Sequence, residues 1–146
     1  MTAKDYLSRV YKLQKKIERM ELRYQEYEEM ASSVSSPNYS GIRTDGTKSF
    51  EAPFVKWIEK AMDLGKDIEK EKAKLDTTKA EVICAIEQIE NEDYKSVLSL
   101  RYLRFMTWED IAEKLYVTKR TTLRWHGIGL EETEKILQKK LSPNVT

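Results

Sequence analysis

The sequence is poor in the residues on which sheets, disulfides and most enzyme centres depend. Its 146 residues include 5 glycines, 3 prolines, one cysteine and one histidine. Because a globular sheet protein needs many turns, and turns need Gly and Pro, this scarcity predicts long helices. A single cysteine excludes an internal disulfide, and Cys84, which lies in an apolar stretch, is expected to be a small buried hydrophobe.

Few residues are available for catalysis or for metal binding. With His126 as the one histidine, neither a histidine-based metal site nor a Ser-His-Asp triad can assemble. The glycines are scattered and no Gly-Lys-Ser/Thr motif occurs, so a phosphate-binding loop is excluded. Paired carboxylates on charged helices are expected to be solvated. We therefore expect a protein that is not an enzyme, with no catalytic residue, no metal and no cofactor.

Long apolar runs are also missing. No stretch approaches the roughly 20 apolar residues of a membrane span, and the N-terminus is polar without a signal peptide. We expect a cytoplasmic protein that makes no membrane contact. The net charge of +1, from 26 basic and 25 acidic residues, indicates no class of partner, so the distribution of charge has to be examined instead.

Two heptad patterns occupy the first part of the chain. Apolar residues recur at steps of four and three from Tyr6 to Val34 and again from Phe54 to Ile89. Residues 35–53 contain Ser-Ser-Pro and Asp-Gly and are predicted to be a loop. The expected fold is all-α, with a long antiparallel coiled-coil hairpin in residues 1–92. Its second seam is weakened by Gly65, Lys72 and Lys79.

Several apolar residues of the second helix fall beside the seam rather than on it. Two helices that pack along one seam leave such side chains exposed, and self-association is a common way to cover them. A homodimer is therefore expected, although packing against the C-terminal domain is the alternative. These residues are Val55, Trp57, Met62, Leu64 and Ile83.

Shorter helices are predicted in a second domain, residues 93–146. Asp93 is expected to cap a helix that runs through Leu103. Thr107, with Asp110 three residues later, resembles a capping box and predicts a helix to about Leu115. Thr118 is the expected N-cap of a last helix that ends near Lys140, before Pro143.

The residues from Thr107 to His126 have the spacing of a helix-turn-helix unit. Ala112 is small where the two helices would cross. Tyr116 occupies the turn position that often holds glycine, so its backbone must avoid positive φ or accept strain. The side chains expected to face inward are Ile111, Leu115, Val117, Thr122 and Trp125.

The opposite face of the last helix carries three basic residues and no acidic one between Thr118 and His126. Such a helix start suits phosphate attraction and major-groove reading. For His126, a phosphate-facing donor and a helix-packing residue both remain open. A three-helix bundle with a solvated basic face and no ligand is the alternative for the whole unit. The predicted contacts with double-stranded DNA are Thr118, Lys119, Arg120, Thr121, Leu123, Arg124 and His126.

The stretch Val97–Leu115 with its Arg-Tyr-Leu and Thr-Trp-Glu-Asp-Ile-Ala motifs, continued by the helix 119–130, resembles region four of bacterial sigma factors. The resemblance implies promoter recognition and a contact with host RNA polymerase. Lys119, Arg120, Leu123 and Arg124 match the base- and phosphate-contacting positions of that family. At Arg120 and the following Thr121-Thr122-Leu123 this chain departs from the common pattern, so a different target sequence is expected.

The chain as a whole resembles a family of uncharacterised proteins from Gram-positive phages and prophages. The resemblance rests on the Met-Thr-Ala-Lys-Asp-Tyr-Leu start, the Ser-Ser-Pro-Asn-Tyr segment and the Trp-His-Gly motif. That family is related in its C-terminal part to the ArpU and RinA activators of late phage genes. The resemblance implies a phage transcription regulator. A small terminase-like DNA-packaging protein and a helical adaptor without DNA binding are the alternatives.

Overall fold

The computed structural model describes residues 1–34 and 47–141, with side chains for 1–33 and 55–140. Every regular element in these ranges is a helix, so the expected all-α fold is confirmed. Among the described helices, none is both long enough and apolar enough to cross a membrane. The helices are α1 (Ala3–Val34), α2 (Thr47–Glu87), α3 (Glu92–Tyr102), α4 (Trp108–Leu115) and α5 (Lys119–Leu141).

The chain divides into two compact units. Unit 1 consists of Met1–Gln14 and Leu75–Thr146, and unit 2 of Lys15–Lys74. The predicted domain boundary between residues 92 and 93 falls inside unit 1, because that unit also contains the first turns of α1 and the last turns of α2. Independent folding of residues 93–146 stays a prediction.

Polar contacts join distant segments of the chain within unit 1. Arg9 of α1 forms an ion pair of 3.0 Å with Glu81 of α2. The backbone N of Ala3 donates a hydrogen bond of 2.8 Å to a carboxylate oxygen of Glu134 in α5. Several apolar side chains of this unit are almost or fully buried. They include Leu7, Val10, Val82, Ile86, Val97, Leu98 and Ile111.

Unit 2 is a pair of antiparallel helical segments. Met20 of α1 packs with Leu64 and Ile68 of α2 in a small buried core. Two ion pairs, Lys16–Glu71 at 3.0 Å and Glu21–Lys72 at 3.5 Å, bridge the same two helices. Along α1, Lys16 pairs with Glu71, the Tyr24 ring lies beside Gly65 and the Tyr27 ring packs on Trp57. The partner number falls as the α1 number rises, so the two segments are antiparallel.

The buried face of α2 differs from the predicted seam at three positions: Lys72 is exposed, and Gly65 and Lys79 give way to their neighbours. Leu64, expected on the flank, is buried, whereas Gly65 is only half-buried. Further along, Thr78 is buried in place of the expected Lys79. Heptad spacing permits steps of three then four as well as four then three, and the sequence does not say which order applies. In both cases the buried residue is the one that a seam accepts at lower cost: leucine in place of glycine, and threonine in place of lysine.

The starts of α2 and α3 also differ from the predicted ones. Since α2 begins at Thr47, residues 47–53 of the predicted loop are helical, and the remainder of that loop lies outside the described residues. Asn91, not Asp93, caps α3: its side-chain oxygen accepts from the backbone N of Asp93 at 2.8 Å and of Tyr94 at 3.2 Å. An N-cap amide satisfies the orphan donors of the first turn in the same way as a carboxylate.

Cys84 is exposed, and the expectation of a buried cysteine was wrong. Its neighbours Val82, Ala85 and Ile86 are buried. Successive helix residues are separated by about 100°, so position 84 points away from the face formed by the other three. A short apolar run in a helix therefore reaches both the core and the solvent.

Close packing of α5 on α3 depends on a glycine. Gly129 is buried, and a Cβ atom added to it would lie 3.1 Å from both Cγ and Cδ1 of Leu98. The nearby Thr133 is fully buried, and its hydroxyl donates to the carbonyl oxygen of Gly129 at 2.8 Å. The close approach of α5 to Leu98 thus lies at Gly129. Gly127, by contrast, would have no heavy atom within 4 Å of an added Cβ.

These two glycines give a matched test of the α3–α5 contact. Gly129→Ala should lower the free energy of unfolding by about 1–3 kcal/mol, because the added methyl group overpacks the contact with Leu98. Gly127→Ala makes the same chemical change in the same helix without a clash and should raise it by about 1 kcal/mol. Urea unfolding followed by circular dichroism measures both. Changes of equal sign would contradict the packing.

Candidate nucleic-acid interface

Two threonine caps define the α4–α5 pair. Thr107 Oγ1 accepts a hydrogen bond of 3.2 Å from the backbone N of Asp110 and caps α4, as the sequence predicts. Thr118 Oγ1 accepts one of 3.1 Å from the backbone N of Thr121 at the start of α5. Because each cap satisfies an orphan N–H group of a first turn, both helix starts are fixed.

The inner side of the pair holds the residues expected there. Ile111 is fully buried and Ala112 is 7% exposed. Thr122 is also fully buried, and its hydroxyl donates to the carbonyl oxygen of Thr118 at 3.1 Å, which satisfies a buried polar group within the helix. Leu115, Val117 and Trp125 are half-buried.

The turn between α4 and α5 contains a non-glycine residue in the left-handed conformation. Tyr116 has φ 58° and ψ 42°. Of the two outcomes that the sequence allowed, avoidance of positive φ or a strained backbone, the second therefore occurs. The backbone N of the following Val117 donates to the carbonyl oxygen of Ala112 at 3.0 Å, which closes the end of α4. The Tyr116 side chain is 95% exposed. A left-handed non-glycine residue costs roughly 1–2 kcal/mol, and here no buried contact of its side chain compensates.

The structure places most of the predicted DNA-contacting side chains on one exposed surface. Lys119, Arg120 and Arg124 are exposed, and Leu123 between them is 42% exposed. They occupy the first two turns of α5, on the side away from the buried Thr122. We call this surface the basic face; its residues are Lys119, Arg120, Leu123 and Arg124.

Two hydroxyl groups lie at the start of the basic face. Thr118 is exposed and Thr121 is half-buried. The Thr118 hydroxyl donates to Thr121 Oγ1 at 2.9 Å. Since the Thr121 oxygen accepts this bond, its own hydrogen can be donated elsewhere.

An acidic residue that the sequence analysis did not connect with the basic face lies beside it. Glu109, in the first turn of α4, forms an ion pair of 2.7 Å with Lys119. The hydrogen bond from Lys119 is the main cause that lowers the pKa of the Glu109 carboxyl group. Although no acid occurs between Thr118 and His126, the turn returns α5 alongside the start of α4. An ion pair across ten residues leaves no periodic signal in the sequence.

His126 does not belong to the basic face. It is half-buried, and its Nε2 shares a hydrogen bond of 2.7 Å with the Tyr102 hydroxyl of α3. The Trp108 ring packs edge-on against the imidazole at a centroid distance of 4.6 Å. Of the two roles left open for His126, these contacts are those of a helix-packing residue. We therefore do not retain His126 among the proposed DNA contacts. The Tyr102 partner was not predicted, since nothing in the spacing of residues 102 and 126 indicates a contact.

Burial gives His126 an unusual protonation behaviour. It lowers the pKa of the imidazole to about 4, from an ordinary value of 6.5, and the positive charges of Arg101 and Lys4 act in the same direction. Burial disfavours the charged imidazolium, and nearby cations repel it. The neutral ring is therefore the form that packs against Trp108 and Tyr102.

The stability of the protein should depend on pH through this histidine. Between about pH 6.5 and about pH 4 the unfolded chain binds a proton at His126 that the folded chain does not. The free energy of unfolding is thus highest above the ordinary pKa and falls as the pH drops through this window. Urea unfolding at neutral pH and at about pH 5.5 measures the loss. His126→Gln, which cannot titrate, should show a smaller loss, and an equal loss in both proteins would refute the assignment.

Comparison with known proteins identifies a family but no characterised relative. No curated protein and no solved structure matches the chain. Residues 33–134, more than half of the sequence, match the family described as "Protein of unknown function (DUF1492)", and the chain belongs to that family.

Proposed function

We propose that this chain is a sequence-specific DNA-binding protein that regulates the transcription of phage genes. The observation that carries the proposal is the separation of two sides in the first turns of α5. Thr122 is fully buried on one side, whereas Lys119, Arg120 and Arg124 are exposed on the other. A rigid, capped helix with arginines at its start suits insertion into the major groove, where Arg can bind guanine O6 and N7.

Other features of the basic face fit a phosphodiester backbone and base edges. The N-terminus of α5 carries unpaired backbone N–H groups and the positive end of the helix dipole, both of which attract phosphate. The Thr121 hydroxyl, placed by its bond from Thr118, is a further donor. Leu123 supplies an exposed apolar group for contact with a thymine methyl group.

Glu109 is expected to moderate binding rather than to prevent it. Its ion pair with Lys119 is exposed on both sides, at 53% and 65%, so solvent and salt screen it. A phosphate group competes with the carboxylate for the same ammonium group. Lys119 is therefore proposed as the phosphate contact, and the two arginines as the groups that read bases.

The proposal includes a homodimer and a contact with RNA polymerase. Met62 and Val55 of α2 remain 60% and 46% exposed, and Ile83 remains 40% exposed. Apolar groups of this size on a helix surface are suited to self-association. Two copies would present two basic faces to two half-sites. The polymerase contact rests on the resemblance of residues 97–130 to sigma region four.

The test of DNA binding compares single variants on a selected site. The site is first isolated from random DNA with the full chain. Arg120→Ala or Arg124→Ala should then weaken binding by about 1–3 kcal/mol and relax the preference at one base pair, because a guanine contact is lost. Lys119→Ala should weaken binding evenly on all sequences and reduce the salt slope by about one unit. Equal affinity of the parent for selected and scrambled DNA would refute the proposal.

Two further variants serve as controls in the same assay. Glu109→Gln keeps the size of the side chain and releases Lys119, so it should raise affinity at low salt by about two- to fivefold. Lys74→Gln removes a positive charge from the exposed surface of α2, outside the basic face, and should leave the base preference unchanged. If Lys74→Gln relaxed the preference as Arg124→Ala does, the basic face would not be the reading surface.

The assembly separates the regulator from its two alternatives. Light scattering of the full chain at micromolar concentration is expected to show a dimer, and Met62→Gln should shift the equilibrium towards the monomer, because it removes apolar contact area. A large ring would favour a packaging protein. A dimer that binds no DNA would favour a helical adaptor.

A further inference from the structure

A cleft in unit 1 is not used by the proposed DNA contacts. It has a volume of about 340 Å³, which falls within the roughly 300–1,000 Å³ of small-molecule sites. One wall is a stripe of α1 residues at helical spacing, and the others come from α3, the α3–α4 connection and the start of α4. The residues that line this α1–α3 cleft are Lys4, Ser8, Tyr11, Arg101, Tyr102, Phe105 and Trp108.

The charge of the cleft is positive. Lys4 and Arg101 contribute two cations, and none of the described residues that line the cleft is acidic. Both cations reach far enough to disfavour protonation of His126, whose pKa is already lowered by burial. A partly enclosed group of cations without a lining carboxylate attracts an anion.

Arg101 is held in a fixed orientation within the cleft. Its guanidinium group stacks over the Trp108 ring at 4.2 Å, and its Nη1 donates to the carbonyl oxygen of Met106 at 2.9 Å. This hydrogen bond occupies one of the five N–H donors of the guanidinium group, so others remain for a ligand. A planar guanidinium group held in this way binds a carboxylate or a phosphate with little loss of side-chain conformational freedom.

Aromatic rings form the remainder of the walls. The rings of Tyr11 and Phe105 meet edge to face at a centroid distance of 5.2 Å. Phe105 has a φ of 58°, a left-handed conformation that a phenylalanine adopts at a cost of roughly 1–2 kcal/mol. Strained residues of this kind occur often at ligand sites, where the surrounding structure holds them in place. Here the strained residue is the one whose ring lies against Tyr11.

We propose that the α1–α3 cleft binds a small planar organic anion, with its aromatic ring against the walls formed by Tyr11, Phe105 and Trp108 and its acidic group on Arg101 and Lys4. The class is defined by one anionic group, carboxylate or phosphate, attached to a flat ring. This site is separate from the basic face and does not depend on DNA binding. It shares Trp108 and Tyr102 with the packing around His126 of α5.

The experiment uses two pairs of compounds that differ in charge. The full chain is titrated with 2-naphthoate and its uncharged match 2-naphthamide, and with adenosine monophosphate and adenosine, while the indole N–H signal of Trp108 is followed by NMR. Trp108→Phe assigns that signal. At least one anion should shift it saturably and bind about tenfold more tightly than its neutral match, because a bond to a charged group is lost in the latter. The preferred pair distinguishes a carboxylate from a phosphate ligand.

Variants test whether the cleft is the place of binding. Lys4→Gln removes an exposed cation of the lining and should weaken binding of the anion by about two- to fivefold. Arg101→Gln should weaken it by about tenfold. Lys12→Gln makes the same change on an exposed residue of α1 outside the cleft and should have no effect. The proposal is overturned if neither anion shifts Trp108, if the neutral compounds bind equally well, or if Lys4→Gln and Lys12→Gln weaken binding equally.

Discussion

The orientation of α5 depends on how closely its backbone approaches Leu98 of α3. A Cβ atom added at Gly129 would lie 3.1 Å from Leu98, and the buried Thr133 hydroxyl is satisfied by the carbonyl oxygen of that same glycine. One turn earlier, His126 forms its hydrogen bond with Tyr102 of α3. Together these contacts fix the rotation of α5 about its own axis. In that orientation of α5 the basic face is exposed. The orientation would no longer be fixed if α5 moved away from α3.

The chemistry of the α4–α5 pair follows from charges that the fold brings together. Lys119 is neutralised locally by Glu109, whereas the fold places no carboxylate of the described residues within ion-pair distance of Arg120 or Arg124. The basic face therefore contains one cation that is paired with a carboxylate, Lys119, and two arginines that are not, Arg120 and Arg124. For the proposed DNA contacts, this difference would let Lys119 position the protein on phosphate while the arginines read bases.

Within residues 1–34 and 47–141, two non-glycine residues adopt left-handed conformations, and they lie before and after α4. Phe105 precedes it and Tyr116 follows it. The Phe105 ring is held against Tyr11, while the Tyr116 ring is almost fully exposed. The short helix between them is therefore entered and left through strained turns. Such turns persist because the capped helices and the buried Ile111 determine the path of the chain more strongly than the two residues do.

The sequence alone determined the helical class, the caps at Thr107 and Thr118, and the inward position of Ile111 and Thr122, because these depend on local spacing and composition. It also predicted the exposure of Arg120 and Arg124. Only the tertiary structure decided that Leu64 and Thr78 complete the buried face of α2, and that His126 packs on Tyr102. It also decided that Glu109 reaches Lys119 and that Lys4 and Arg101 share a cleft. Each of these depends on which helix faces meet, and a periodic pattern specifies a face without specifying its partner.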